Sequence, residues 1–427
     1  MVYVQFPIDS VSPFCCRSFM FGFFEKPSPA KFAQMLLKEA ARRGRPADYQ
    51  FDEKNFTLKR GQQHVFLGNL YKDYCHAKGD HKKRVFENAL ALFGNKAAEL
   101  TAEEALCHAT AAIRERAVFS LTQLHLKIED SQAKDLDPAF ERVSDWFVKV
   151  IVLDFPEYVR VVNVTDLEKW GISFEAMFTL GLKRLQDSTP PKFRSEDGYF
   201  VGTWNDDYDA SRALLPQVFQ DLPIEGNPVV CVPTRLKLLV ADDQNPAAVE
   251  AMFKKAEEIA NKEPRPHNPA PLTYHDGQII DYLPEKGSPV FNHVQRARGL
   301  AGMLYYSQQK DLLEKLYEKT RKDDFVASFK FTQRSDGSYL SYSVWSRGIR
   351  TLLPKTDLIM LSDPERPKEE MIVAQISWDR AQAVLGSLML DTEMFPPRFY
   401  VSQFPSVEQL KELVSNPGLE LTQAKSN

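Results

Sequence analysis

Three aspartates, a tyrosine and an arginine crowd into one short stretch, Asn205-Asp206-Asp207-Tyr208-Asp209-Ala210-Ser211-Arg212. Carboxylates this close could hold a hard divalent cation such as Mg²⁺, which prefers oxygen ligands. Asp206, Asp207 and Asp209 would supply part of the set. Asp242, at the end of the apolar run 238–242, would supply another oxygen. Tyr208, Asp209 and Arg212 would then contact a ligand, with Arg212 on its phosphate or carboxylate. That chemistry is metal-dependent hydrolysis of a phosphate-containing substrate. The same residues also have a purely structural use. Acids at a helix start satisfy free N–H groups and complement the dipole. Asp206 as N-cap with Asp209 three residues on is close to a capping box, and Arg212 can pair with Asp209 to lock the turn. Both readings are open, and the structural one is the simpler.

Other catalytic patterns are missing. The chain has no Gly-x-Ser-x-Gly, no Walker A loop and no Gly-x-Gly-x-x-Gly. Cys75-His76 with His81 fits no standard zinc spacing. Cys107-His108 and His125 read as packing residues, as does the Tyr305-Tyr306 pair. Arg265, Arg296, Arg298, Lys319, Arg321 and Lys322 are dispersed and read as solvated charges.

The elements that must position the acidic stretch are legible from capping and periodicity. Ser28-Pro29 opens a helix that Gly44 ends. Short strands follow at 49–51, 56–58 and 64–67, then a helix near 81–93. Thr101 and Glu104 form a capping box for a helix carrying Leu106 and Ile113. Val- and Ile-rich residues 146–155 predict a buried strand, 158–162 another, and Ser173 caps a further helix. After a strand at 199–204 comes the acidic stretch, as the start of a helix that Pro216 must end or kink. The apolar runs 229–233 and 238–242 are strands, and Asn245-Pro246 opens an amphipathic helix. Residues 263–271 hold four prolines and predict a stiff linker between two domains. Beyond it, 272–283 leads to a long helical region from Ser288-Pro289 to about Thr320, broken near Gly299 and Gly302. Residues 325–331 and 339–345 flank Asp336-Gly337 as a hairpin. A strand at 358–361, a helix near 378–390, a strand at 398–404 and a helix from Ser406 complete the chain.

Two segments share a pattern. Asp197-Gly198, Trp204 and Leu214-Leu215-Pro216 recur in order as Asp336-Gly337, Trp345 and Leu352-Leu353-Pro354, and Pro233 precedes Asp242 by nine residues as Pro354 precedes Asp363. They suggest a divergent internal repeat, set against chance recurrence of hairpin–strand–helix units. The second copy lacks the acidic stretch.

The 427 residues suffice for two or three domains. Hydrophobic residues make up 43% and charged ones 26%, the balance of an ordinary globular protein. A net charge of −4 argues against general nucleic-acid binding. No apolar run is long enough to span a membrane. Five scattered cysteines suit a reducing cytoplasm, with Cys107 and Cys231 as small buried hydrophobes. Residues 1–27 read as an N-terminal extension, and Met20 offers a second start.

Residues 30–262 resemble the bacterial YtpQ-like family, whose function is not established. The family's Gly-Tyr-Asp-Ala-Ser-Arg stretch corresponds to Asp207-Tyr208-Asp209-Ala210-Ser211-Arg212, with Asp207 in place of the glycine. Its Val-Pro and Leu-Val-Ala-Asp stretches correspond to Val232-Pro233 and Leu239-Val240-Ala241-Asp242. The resemblance implies a shared fold and a cytoplasmic bacterial protein, and it brings no catalytic residue. The expectation is an α+β protein with mixed and antiparallel sheets flanked by helices: an extension at 1–27, a YtpQ-like domain at 28–262, the linker 263–271 and a C-terminal domain at 272–427. Whether it is an enzyme stays open. The leading function is a non-enzymatic binding or interaction module for a protein or small molecule, with no resident cofactor. The alternative is the metal-dependent hydrolase.

Overall fold

Ser28 and Pro29 start the first helix as capping chemistry requires. The Ser28 hydroxyl accepts from the Lys31 amide at 3.2 Å, and α1 (Pro29–Arg42) ends before Gly44 at φ +67°. The computed structural model describes residues 26–415, except 54–55, 61–62, 78, 92, 94–99, 156–158 and 263–267. Most of the extension at 1–27, its second start at Met20, Tyr158, the His81 side chain and the middle of the proline-rich stretch lie outside the described residues. Described residues up to Phe93 form one compact unit, and those from Leu100 form a second.

In the first unit, α1 is followed by the antiparallel meander β1 (Gln50–Asp52), β2 (Thr57–Arg60) and β3 (Gln63–Phe66), then α2 (Leu67–His76) and α3 (Gly79–Ala91). Phe32 and Leu36 of α1 meet Tyr49, Leu58, Leu90 and Phe93 in one buried core. Their i, i+4 spacing puts both helix residues on one face.

The second unit opens with the Thr101 capping box, both halves formed, on α4 (Ala102–His108). The helix does not run on to Ile113. Residues 109–115 are instead a strand, β4 (Ala109–Glu115). Next come α5 (Arg116–Glu129), β5 (Phe140–Arg142), β6 (Phe147–Asp154), β7 (Val159–Val161), α6 (Val164–Trp170) and α7 (Phe174–Asp187). Alanine-rich sequence favours helix locally, and packing overrides it here. β4 pairs antiparallel with β6, and α7 presses directly on the strand. A Cβ on Gly181 of α7 would sit 2.7 Å from the Ala111 amide nitrogen, so glycine above and alanine below permit the approach.

A hairpin, β8 (Phe193–Glu196) and β9 (Tyr199–Gly202), turns on Asp197-Gly198, both at positive φ as a two-residue hairpin turn requires. Then come β10 (Pro228–Thr234), β11 (Lys237–Asp242), α8 (Pro246–Lys262), β12 (Leu272–His275) and β13 (Gln278–Asp281). These strands make one antiparallel sheet, ordered β13-β12-β10-β11-β9-β8. Strand alternation splits its core: Val229 and Cys231 face α8, while Val230 and Val232 face the acidic segment. Leu272 pairs with Val230, so the chain returns to this sheet after the prolines. The proline-rich stretch therefore does not divide two separately folded domains, and the division in the structure falls near residue 95.

The long helix α9 (Phe291–Thr320) is unbroken. Gly299 and Gly302 do not interrupt it; they leave room for the Phe331 and Phe329 rings. The remaining elements are β14 (Phe325–Val326), β15 (Lys330–Gln333), β16 (Tyr339–Ser346), β17 (Thr351–Pro354), β18 (Leu358–Ser362), β19 (Ile372–Ser377), α10 (Trp378–Leu385), β20 (Leu390–Asp391), β21 (Arg398–Val401) and α11 (Val407–Ser415). They form two four-stranded sheets, β15-β16-β18-β19 and β14-β17-β21-β20. The expected hairpin is β15–β16, and Phe325 lies outside it, in the other sheet. Fully buried Arg398 ties the second sheet to α9, donating to the carbonyls of Ala327 (2.8 Å), Leu352 (3.0 Å) and Tyr306 (3.3 Å) and to Gln309 Oε1 (2.6 Å).

The fold is α+β with antiparallel and mixed sheets. The two similar segments share their Asp-Gly hairpins but differ beyond them. β9 pairs antiparallel with β11, whereas β16 pairs parallel with β18, and β17 leaves for the other sheet.

Candidate functional site

The acidic stretch does not begin an α-helix. It forms an irregular turn followed by two short 3-10 turns, Ala210–Leu214 and Pro216–Phe219. Asn205 and Asp207 both have positive φ, +56° and +68°. Asp207 is thus left-handed, a region that aspartate tolerates better than most residues. Asp206 is not an N-cap. Its Oδ1 accepts from the Tyr208 amide at 3.1 Å, closing a local turn. Asp209 completes no capping box: its Oδ1 accepts from the Asn205 amide at 3.3 Å, and Oδ2 is buried with no hydrogen-bond partner. Burial pushes the Asp209 carboxyl above the usual carboxylate range.

Arg212 is fully buried and already engaged. Its guanidinium takes the Asp206 carboxylate with two prongs, at 2.7 and 2.6 Å. It also donates to Thr189 Oγ1 at 2.9 Å and to the Ser188 carbonyl at 3.4 Å, and it lies 4.5 Å over the Trp204 ring. Burial raises the Asp206 carboxyl, and the guanidinium more than reverses this, leaving it below the usual range. Arg212 therefore binds Asp206, not Asp209, and has no face turned to a ligand. Tyr208 packs against the cluster of Ala112, Val148, Val150 and Val152, where burial and the nearby Asp154 carboxylate raise its phenol well above the ordinary value. Ala210 donates to the Arg235 carbonyl at 3.2 Å, and Ser211 Oγ accepts from the Ile113 amide at 3.3 Å, so the motif braces the free edge of β4.

Asp242 does not join this cluster. The acidic turn touches the β10–β11 hairpin at its turn residue Arg235, and Asp242 lies at the far end of β11, roughly 17 Å from the start of that strand at one rise per residue. Its carboxylate instead accepts from the amides of Glu225 (2.7 Å), Gly226 (3.0 Å) and Gln244 (2.9 Å). Asp207 is exposed, so the four expected ligands point four ways. Among the described residues no three His, Cys, Asp or Glu side chains are placed to hold a metal ion. Cys231 is buried as expected, but Cys107 is exposed. His108 packs on Phe155 with ring centroids 4.2 Å apart.

The groups that stand out lie at the β4–α5 junction. Glu115 is 3% exposed, and its Oε1 accepts from the Tyr305 hydroxyl and the Asn268 amide. Burial pushes its carboxyl up to about 7, against the pull of those two donors. Tyr305 in turn stacks on Trp146, whose ring meets Phe395 edge-on. The next residue, Arg116, lays its guanidinium 4.4 Å over the Phe395 ring. It is half-buried and makes no ion pair with a carboxylate among the described residues. Burial and the nearby Arg142 charge both depress its basicity.

Arg116 lines a cleft of about 760 Å³ running along α5 and α9. The two helices lie side by side in the same direction. Ala117 and Leu121 meet Tyr305 and Leu312 at one end, and Lys319 Nζ donates to the last carbonyls of α5, Ile128 (2.6 Å) and Glu129 (3.1 Å), at the other. Residues 392–395 close one side and Leu136 and Phe140 another. Sequence reasoning missed this site because its walls come from three distant segments. The local signal was Arg114-Glu115-Arg116, three charged residues set between the mostly apolar runs 109–113 and 117–119. No described helix is long and apolar enough to cross a membrane. No protein-family model, curated protein or solved structure matches this chain.

Proposed function

We propose that the chain is a non-enzymatic binding module, and that its site is the α5–α9 cleft, which takes an anionic small molecule. One observation carries the reading: Arg116 presents a half-buried guanidinium with no carboxylate partner among the described residues, at the wall of a cleft of about 760 Å³. A half-buried cation without a counter-ion has given up part of its hydration, and a bound carboxylate or phosphate offsets that loss while gaining two-pronged hydrogen bonds. The acidic turn makes a contrast, since the charge on Arg212 is neutralised within the protein. The metal-dependent hydrolase reading needs Asp206, Asp207, Asp209 and Asp242 to converge on a cation such as Mg²⁺, and they diverge. A YtpQ-like kinship and a cytoplasmic setting belong to the same proposal, and neither supplies a ligand.

A thermal-shift panel of anionic metabolites and Mg²⁺, on wild type beside Arg116→Ala and Asp209→Ala, tests this. Stabilisation by an anion, lost in Arg116→Ala and kept in Asp209→Ala, is the expected result. A Mg²⁺-dependent shift lost only in Asp209→Ala would return the function to the acidic turn.

A further inference from the structure

We infer that the ligand is an elongated amphipathic carboxylate, its acid group on Arg116 and its apolar chain laid along the seam between α5 and α9. The inference rests on the reading of the cleft as an anion-binding site and names the class of ligand.

Polar lining groups are mostly spent inside the protein. Gln123 accepts from the Leu136 amide at 2.5 Å and donates to the Lys134 carbonyl at 3.4 Å. Lys127 pairs with Asp135 at 2.7 Å. Ser120 donates to the Ala117 carbonyl at 3.1 Å, and Thr392 to the Arg398 carbonyl at 2.7 Å. Gln309 is held between Arg398 at 2.6 Å and the Pro396 carbonyl at 2.9 Å. A sugar or a nucleoside, which must replace many water hydrogen bonds, finds few partners here. What the cleft offers is carbon, from Phe119, Leu124, Leu136, Leu316, Met394 and Phe395, with one free guanidinium.

Charge and shape agree with this. Of the two lining carboxylates, Asp135 is held by Lys127 and Glu393 is exposed to solvent. Arg116 begins α5 and Lys127 lies eleven residues on, so the lined length is about 16 Å at the helical rise. A short acid would satisfy Arg116 and leave most of the apolar wall in water. A chain of about ten to twelve carbons covers it, each added methylene tightening binding by up to about four-fold. The far end meets Lys322, whose ammonium lies 5.3 Å over the Tyr317 ring.

Isothermal titration of the full chain with butyrate, octanoate, dodecanoate and dodecanol, each acid below its micellar concentration and the alcohol below its solubility limit, tests the inference. Affinity should rise steadily from butyrate to dodecanoate, and dodecanol should bind at least about ten-fold more weakly than dodecanoate. Arg116→Gln should lose about ten-fold for the acids and little for the alcohol. Leu316→Gln, at a half-buried wall position, should flatten the dependence on chain length. Butyrate binding as tightly as dodecanoate, and through Arg116, would overturn the amphipath and leave the anion site standing. Absence of Arg116-dependent binding by every anion tried, in variants that melt as wild type does, would overturn both.

Discussion

Arg212 grips Asp206 with both ends of its guanidinium, at 2.7 and 2.6 Å, while its flat face rests on Trp204. The arginine is wholly buried and the aspartate half-exposed, so the pair conducts a buried charge to the surface. Asp206→Ala would strand that charge. The expected loss is about 2–4 kcal/mol in urea denaturation, somewhat below the cost of breaking a fully buried pair because Asp206 is half-exposed. Asp207→Asn removes only an exposed carboxylate and keeps a residue that tolerates positive φ, so it should change stability by less than about 0.5 kcal/mol. Equal effects from the two would mean the ion pair adds nothing.

Glu115 sets a pH dependence whose sign is opposite to that of a salt-bridged acid. Its folded pKa, about 7, lies above the ordinary 4.5. Below about pH 4.5 both folded and unfolded chains keep the proton, and the group costs nothing. As pH rises toward 7 the unfolded chain releases its proton first, and stability falls by on the order of 3 kcal/mol. Glu115→Gln keeps an acceptor for Tyr305 and Asn268 and removes the ionisation. The variant should match wild type near pH 4.5 and exceed it by on the order of 2–3 kcal/mol around pH 8. Parallel stability curves for the two proteins would show that Glu115 titrates normally. Asp209, also pushed up by burial, leaves a residual slope of the same sign.

Gly181 and Gly68 both sit in helices, and alanine should act on them in opposite directions. A Cβ at Gly181 meets the backbone of β4, 2.7 Å from Ala111 N and 2.9 Å from Thr110 C, and strand backbone cannot step aside. Gly181→Ala should cost about 1–3 kcal/mol despite the gain in helix propensity. At Gly68 the space is open, and alanine should gain up to about 1 kcal/mol. Thermal melts of the two variants would read both signs.

Arg398 is buried without an acidic hydrogen-bond partner among the described residues, held by three carbonyls and a side-chain amide. Burial depresses it to about 10, still protonated at neutral pH. Arg398→Met should cost at least about 3 kcal/mol, because several acceptors lose their donor together. Lysine should rescue little of it, since one ammonium cannot reproduce the planar fork. A full rescue by lysine would mean that charge alone matters at this position.

Capping and turn chemistry were readable because they are local. Ser28-Pro29, the Thr101 box, and the Asp197-Gly198 and Asp336-Gly337 turns act within a few residues, and each stands where its sequence places it. β4 was hidden because Ala-Thr-Ala-Ala-Ile favours helix until α7 and β6 are laid against it. The length of α9 was hidden for a similar reason: Gly299 and Gly302 look like breaks until two phenylalanine rings fill the space they leave. At the acidic stretch the residues were visible and their partners were not. Nothing near Arg212 in sequence announces Trp204 beneath it or Thr189 beside it, and those contacts turn a candidate ligand into a brace. The cleft was the least legible, since Arg116, Leu316 and Phe395 meet only once three distant segments have folded.

The pairing of Leu272 with Val230 has a practical consequence for anyone who shortens this protein. A polypeptide stopped at 262, the natural choice from the proline count, loses β12 and β13 and strips Val290, Val294 and Ala297 from the face that packs on α8. The Val-rich β10 then becomes the rim of its sheet, with amides and carbonyls that recruit a neighbouring molecule. Such a fragment should come out of the cell as inclusion bodies, whereas a cut near residue 96 spares every strand pair of the larger unit.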